Sequence, residues 1–191
     1  MFPSAHTALA ERIDLIFFSP MVRAMTKAMI RLRKAQLSDI PLLVSLEAEY
    51  ARDQRNIVLQ ENPRLRPYLA RRAGTAPHIA RWLRKCIRSR NTIVFIAEDQ
   101  GRTVGFSVAS IVTNPPIRKL RQVGNIDVLF VKRAYRGRKV SSMMMKASLE
   151  WFRKRKIRHV GLEVMAANRP ASSIYRKWGL YDFFVVMRME I

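Results

Sequence analysis

The spacing of apolar and polar side chains predicts one alternation of strands and helices from residue 29 onward. Met29–Lys34 (MIRLRK) alternates apolar and basic residues at period two, as a strand with one covered face does. A helix is predicted next, with Ser38 as its cap, Pro41 in its first turn, and an apolar stripe of Ile40, Leu43, Val44 and Leu46/Glu47 running to about Tyr50. From Asn56 to Pro77 the periodicity dissolves into a partly helical connection punctuated by Pro63, Pro67 and Gly74. Residues 78–88 restore it, with Ile79, Trp82, Leu83 and Cys86/Ile87 on one helix face and Arg81, Arg84, Lys85 and Arg88 on the other. Thr92–Glu98 and Thr103–Val112 are β-branched runs joined by Asp99-Gln100-Gly101-Arg102, a hairpin. Asn114-Pro115-Pro116 ends that hairpin, and Ile126–Val131 is the next strand, followed by an amphipathic helix to about Phe152. Ile157–Met165 is again a strand, Asn168-Arg169-Pro170 opens a short helix capped at Gly179, and Leu180–Ile191 closes the chain as a strand.

Two of these strands, Ile126–Val131 and Ile157–Met165, are joined through a helix, which calls for a parallel, right-handed crossover. A ligand then belongs beyond the carboxyl ends of those strands, where the chain enters the helix. Glu47, Glu49 and Asp53 crowd the end of the first helix, where acids oppose the dipole. Water is their default surrounding, and a cationic partner the alternative.

Composition narrows the class. With 49% apolar residues, 191 residues suffice for one domain whose core needs neither disulfide nor metal. Cys86 is the one cysteine and no Cys/His cluster exists for a metal, so the expectation is a reducing, cytoplasmic setting. Residues 1–28 read as an N-terminal extension, or as a start assigned upstream of Met25 or Met29. The apolar run Leu15–Phe18 within them follows Glu11, Arg12 and Asp14 and stops at Pro20, too short to span a membrane and unlike a signal peptide.

Charge changes the picture most. A net +22 sets a surface potential that attracts nucleotides, nucleic acid, acidic proteins or anionic lipid. It is concentrated in two zones: residues 132–158 hold eleven Lys/Arg against Glu150 alone, and residues 64–90 hold nine with no acid. Within the first zone, Arg136-Gly137-Arg138-Lys139-Val140-Ser141 puts three cations and unpaired backbone N–H groups at a helix start, where anions are held. A phosphorylated ligand is expected there, although a helix cap with solvated arginines has the same local sequence.

The order around that turn is more specific than the turn. A strand ends Leu129-Phe130-Val131, Tyr135-Arg136-Gly137 leads into a helix, the strand Gly161-Leu162-Glu163-Val164 follows, and then come Asn168 and a helix end Tyr175-Arg-Lys-Trp-Gly179-Leu. This pattern resembles the general-control-related N-acetyltransferase (GNAT) superfamily, over residues 29–191 and most specifically over 126–180. The resemblance implies an α/β (α+β) single domain with a mixed central sheet of about six to seven strands flanked by about four helices. It implies transfer of an acetyl group from acetyl-CoA, as co-substrate, to a primary amine within a ternary complex. Backbone N–H groups of the turn Arg136, Gly137, Arg138, Lys139, Val140 and Ser141 would hold the pyrophosphate, and Asn168 would contact the pantetheine arm, unless it simply caps its helix. The backbone near Leu129, Phe130 and Val131, at a strand bulge in the family, would polarise the thioester carbonyl. Tyr175 would protonate the leaving thiolate, and Asp127 would be the base on the incoming amine, with Glu163 second and Glu47 or Glu49 third. Lys139 and Ser141 stand where the family prefers glycine, and glycine or alanine. A non-glycine residue held there at positive φ costs on the order of 1–2 kcal/mol, and its ammonium recovers part of that against phosphate.

The acceptor is expected to be a protein N-terminus or a partly anionic small molecule, since a +22 surface repels polycations unless Glu47, Glu49, Asp53 and Asp127 reverse the field inside the cleft. The competing class is a module of the same fold that binds nucleic acid or another polyanion through its arginines. Neither a metal site nor a transmembrane segment is expected, and monomer and homodimer both stay open. Gly105-Phe-Ser107-Val-Ala109 lacks the last glycine of a nucleophile elbow and lies in a hairpin strand, which makes a serine hydrolase improbable.

Overall fold

The structure, a computed structural model, describes residues 30–189. The extension predicted for residues 1–28 lies outside the described residues, as do Met29 of the first strand and residues 190 and 191. Five strands form one sheet in the order β1 (Ile30–Lys34), β2 (Thr92–Asp99), β3 (Arg102–Thr113), β4 (Gln122–Val131) and β5 (Val160–Leu162). Neighbours are antiparallel up to β4, and β4 and β5 are parallel, as the crossover required. The α-helices are α1 (Ile40–Glu61), α2 (Arg66–Leu69), α3 (Ala76–Arg88), α4 (Val140–Lys154) and α5 (Arg169–Lys177). Among the described residues no helix is long and apolar enough to cross a membrane.

The layers follow from the stripes. Leu43 and Leu46 of α1 and Leu83 and Cys86 of α3 bury against Val94, Ile96, Phe106, Val108, Val128 and Phe130 on one sheet face. Met145, Trp151 and Phe152 of α4 bury against Ile93, Ala109 and Ile126 on the other, and Met144 against Ala97, Val104 and Val131. Each such side chain contributes about 1.5–3 kcal/mol on leaving water. Ser107 is fully buried within β3, which rules it out as a solvent-accessible nucleophile.

Four sequence expectations change. The first helix does not stop near Tyr50 but continues to Glu61, because Tyr50, Asp53, Gln54 and Ile57 extend its inward face at helical spacing. At its start the anchoring acid is Asp39, which accepts from the Gln36 N–H at 2.7 Å and from Arg33. The strand expected over Ile157–Met165 shrinks to Val160–Leu162: Lys156 at φ 61° and Ile157, bonded to Phe152 O at 3.1 Å, are used in turning out of α4. Among the described residues the sheet has five strands against about six to seven expected, because residues 180–189 do not pair with it.

One irregularity in β4 positions everything that follows. Val108 pairs with Val128 and Ala109 with Ile126, so Asp127 is the extra residue of a bulge. Before the bulge Ile126 faces α4, whereas after it Val128 and Phe130 face α1 and α3. Since β5 pairs only with Gly124–Ile126, the edge of β4 from Asp127 to Val131 has no neighbouring strand.

Candidate active site

A cavity of about 190 Å³ opens where that unpaired edge of β4, the start of α4, the middle of α1 and helix α5 converge. Leu129, Phe130 and Val131 supply the strand wall, Arg136, Gly137, Val140 and Ser141 the turn, and Asn168 and Tyr175 the α5 side. Nine of the residues singled out from sequence are therefore brought together. Arg138, Lys139 and Asp127 do not line it.

The turn has the geometry of an anion cradle. The first intrahelical bond is Met143 N–H to Lys139 O at 3.0 Å, so the N–H groups of residues 140–142 have no intrahelical acceptor. Lys139 caps the helix at φ 62°, ψ 12°, the left-handed region, where L residues other than glycine are strained. Gly137 adopts φ 77°, and a Cβ there would meet open space. The Arg138 guanidinium lies over the Tyr135 ring at 5.0 Å. A Lys139→Gly substitution should stabilise the protein by about 1 kcal/mol by removing that strain, read as a rise in Tm. Lys139→Ala keeps most of the strain and loses the charge, so the salt dependence of acetyl-CoA binding should flatten. An unchanged salt slope would remove the charge from the account of this turn.

Arg136 does not reach into the turn. Its Nε donates to Val131 O at 3.2 Å and its Nη2 to Asp53 Oδ2 at 2.6 Å, so it ties the end of β4 to α1. Asn168, 3% exposed, accepts from the Ala171 N–H at 3.3 Å as the cap of α5 and donates to Gln54 Oε1 at 2.9 Å. Its capping role and its position in the cavity wall are both realised. Adjacent residues of α1 thus brace the two opposite walls.

Tyr175 sits half-buried beside Trp178, ring centroids 5.8 Å apart. Burial, with a smaller effect of nearby Tyr50, pushes its phenol up to about 12. Tyr50 is also pushed up, chiefly by burial and then by Glu47, and its ring meets that of Phe130 edge-on at 5.9 Å. Glu47 is 6% exposed and forms a bidentate pair with Arg71 at 2.8 and 2.9 Å. Two of the three acids at the end of the predicted first helix therefore have cationic partners.

Asp127 is exposed and accepts from Asn125 Nδ2 at 2.7 Å. It lies on the α3 side of the sheet, close enough to Cys86 that, after burial, its charge helps push that thiol up to about 11. Glu163 is exposed just past β5, and Glu49 is half-buried on α1. Gln54 and Ile57 were not read as site residues from sequence, and Asp53 was read only as an acid of the cleft's field. Their spacing on one face of a longer α1 was the available signal.

The raised groups give a signed prediction. The folded state keeps the Cys86 proton between its ordinary value of 9.0 and about 11, and the Tyr175 proton between 10.0 and about 12, where the unfolded chain has released both. Stability should therefore fall as pH rises from 9 to 12, with no contribution from either group below that window. Urea unfolding at stepped pH should show the loss, and Cys86→Ala should flatten its lower half.

Comparison with known proteins decides the lineage. Residues 55–180 match the acetyltransferase (GNAT) family. The chain belongs to that family. An uncharacterized N-acetyltransferase of Methanocaldococcus jannaschii is 32% identical over 108 residues, 56% of this chain and 47% of that protein. The chain therefore matches about half the length of that curated relative. A predicted acetyltransferase of Clostridium acetobutylicum, solved with acetyl-CoA, superposes with a TM-score of 0.67 at 19% identity, covering 84% of this chain and 96% of the other. An aminoglycoside N-acetyltransferase in complex with CoA superposes with a TM-score of 0.64 at 15% identity, covering 85% and 94%. At these identities the structures establish the GNAT fold.

Proposed function

We propose that this GNAT protein transfers an acetyl group from acetyl-CoA to a primary amine by direct attack within a ternary complex. The observation that carries the reading is the cavity itself: an unpaired stretch of β4, the open N–H groups of α4 and a protonated Tyr175 face one space. Acetyl-CoA supplies an activated thioester carbonyl, and its pyrophosphate suits the α4 N-terminus. Backbone N–H groups at Leu129–Val131 hold the carbonyl oxygen as it gains charge. Asp127, on the bulge and outside the cavity lining, takes through water the proton that an ammonium must lose before it can attack. Tyr175 gives its hydroxyl proton to the leaving thiolate, and its raised pKa keeps that proton in place at neutral pH.

The acceptor is a protein N-terminus or an amine with an anionic portion. Arg71 and Arg136 already neutralise Glu47 and Asp53, so these acids do not reverse the +22 field for a polycation. A second reading, polyanion binding, is favoured by the row Arg81, Arg84, Lys85 and Arg88 around an open concavity on α3. Heat-shift titration with acetyl-CoA, beside a duplex and a tRNA at two salt concentrations, separates the two. Acetyl-CoA at a hundred times its Kd should stabilise by about 2.7 kcal/mol. Stabilisation by nucleic acid alone, vanishing with salt, would sink the enzyme reading. A screen of amine acceptors for free-thiol release then identifies the substrate.

A further inference from the structure

The end of the sheet opposite the cavity gathers charge from three distant parts of the chain. Asn91 O accepts from the Ile111 N–H at 2.7 Å, Ile111 pairs with Gly124, and the Gly124 N–H donates to His159 O at 2.8 Å. One row of residues thus crosses β2, β3, β4 and the approach to β5. At and beyond that row lie the end of α3 with its exit (88–90), the β3–β4 hairpin tip (114–121) and the end of α4 with its exit (153–158). These three stretches hold ten Lys/Arg, all exposed, and no Asp or Glu. We propose that this pole binds the phosphate backbone of a nucleic acid while acetyl-CoA occupies the opposite end of β4. The proposal rests on the polyanion reading above, gives it a surface and a partner, and makes it compatible with acetyl transfer. Val131, where the approach to the α4 turn begins, lies roughly 20 Å along the strand from Gly124.

Helix ends account for only part of this charge. Lys85 and Arg88 close α3, and Arg153 and Lys154 close α4, where cations complement the dipole. The hairpin tip is not a helix end, yet Arg118, Lys119 and Arg121 stand on it, and Asn114 Nδ2 braces it by donating to Leu120 O at 2.8 Å. Among the described residues none of the ten cations pairs with a carboxylate, whereas Arg33, Arg71 and Arg136 all do. Arg155 lies instead over the Trp151 ring at 4.3 Å. Uncompensated like charges repel one another, and a polyanion laid across them removes the repulsion.

Chemistry and breadth select the partner. Seven of the ten cations are arginines, whose planar forks match pairs of phosphate oxygens. From β2 to β5 is three strand spacings, about 14 Å and close to the roughly 12 Å width of a duplex major groove. Phosphates on both sides of one groove therefore fall within reach. The open concavity around Arg81, Arg84 and Lys85 joins the pole at Arg88 and lengthens the track. An anionic membrane is met through a broad face of aromatic and leucine side chains, whereas the tip offers two aliphatic ones, Ile117 at 89% exposure and Leu120. The three stretches contain no Phe, Trp or Tyr on which a base could stack, so the backbone is recognised and not the sequence.

Fluorescence anisotropy of the full chain with a short labelled duplex DNA and, in a second arm, a labelled hairpin RNA tests the proposal. Affinity should fall about 10³-fold or more between about 50 and 200 mM salt. Binding in either arm supports the surface, and the ratio of the two affinities identifies the nucleic acid it serves. Arg118→Ala, Lys119→Ala and Arg121→Ala together should lower the slope of log affinity against log salt by about 2–3, with Tm and the acetyl-CoA heat shift retained. Arg153→Ala, Lys154→Ala and Arg158→Ala, on another element, should do the same and cover a hairpin variant that fails to fold. Saturating acetyl-CoA should leave the duplex affinity within about twofold, as independent sites require. Slopes changed by neither triple, but flattened by Arg81→Ala, Arg84→Ala and Lys85→Ala, would leave the polyanion reading standing and remove the pole. Failure of the wild-type chain to bind either probe at low salt overturns the pole and the polyanion reading together. The pole is equally overturned by sedimentation with phosphatidylserine vesicles in the absence of nucleic-acid binding. Displacement of the duplex by acetyl-CoA would put the backbone at the α4 turn, and that also overturns the proposal.

Discussion

Tyr175→Phe should lower kcat by about 10²–10⁴-fold, the range of a positioned general acid, while acetyl-CoA binding stays within a few-fold. The ring is retained, so its packing on Trp178 survives and the loss reports the hydroxyl alone. Burial holds the phenol at about 12, well above neutral pH, so the donor form is fully populated wherever the enzyme works. No alkaline limb assignable to Tyr175 should then appear in the rate profile below pH 10. Free-thiol release with an acceptor found by screening measures kcat, and heat shift measures acetyl-CoA binding independently. A kcat within threefold of the parent would remove Tyr175 from the chemistry. Tyr50→Phe separates the neighbouring hydroxyl: Tyr50 packs on Phe130 and interacts with Tyr175 but does not line the cavity, so its loss should be much the smaller.

The sequence made the strand order and the α4 turn legible because both are local. The β-branched run Thr92–Glu98, and the turn at 136–141 with its three cations, are written in adjacent residues. The strain at Lys139 came instead from the family resemblance, which puts a glycine at that position, and Lys139 adopts φ 62°. What was not legible depends on pairs far apart in the chain. Arg71 meets Glu47 across 24 positions, Arg136 meets Asp53 across 83, and Asn168 meets Gln54 across 114. Acids near a helix end have no local partner, so water was the natural reading, and α1 was ended at Tyr50 where its apolar stripe thins. The bulge at Asp127 was equally hidden, since a one-residue register shift needs the β3 partner to define it.

Those distant pairs give α1 a role that its sequence does not announce. Asp53 fixes the arginine of the turn and Gln54 fixes the asparagine of α5, so one helical turn sets the separation of the walls between which a pantetheine arm would lie. Both side chains already have partners in the protein, so their contribution is to hold the cavity open at a fixed width.

The β4 wall of that cavity depends on a residue with no side chain, and Gly105→Ala should be strongly disruptive. Gly105 of β3 pairs with Val131, and a Cβ there would lie 2.4 Å from Phe130 O and 3.3 Å from Val131 Cα. Both are backbone atoms in a ladder, so relief requires β3 or β4 to move, unlike at Gly124, where a Cβ would meet the Phe152 ring. The cost should reach the upper end of the 1–3 kcal/mol typical of overpacking, lowering Tm by roughly 6–12 °C for a chain of this size. Gly161→Ala in β5 is the control, because its Cβ meets nothing within 4 Å. The displaced atoms belong to Phe130 and Val131, which form the cavity wall, so acetyl-CoA binding should weaken beyond what the lowered Tm explains. Affinity measured well below the variant's Tm isolates that second effect. If Gly105→Ala melts with the parent and binds acetyl-CoA equally well, the close approach of β3 to Phe130 does not constrain the site.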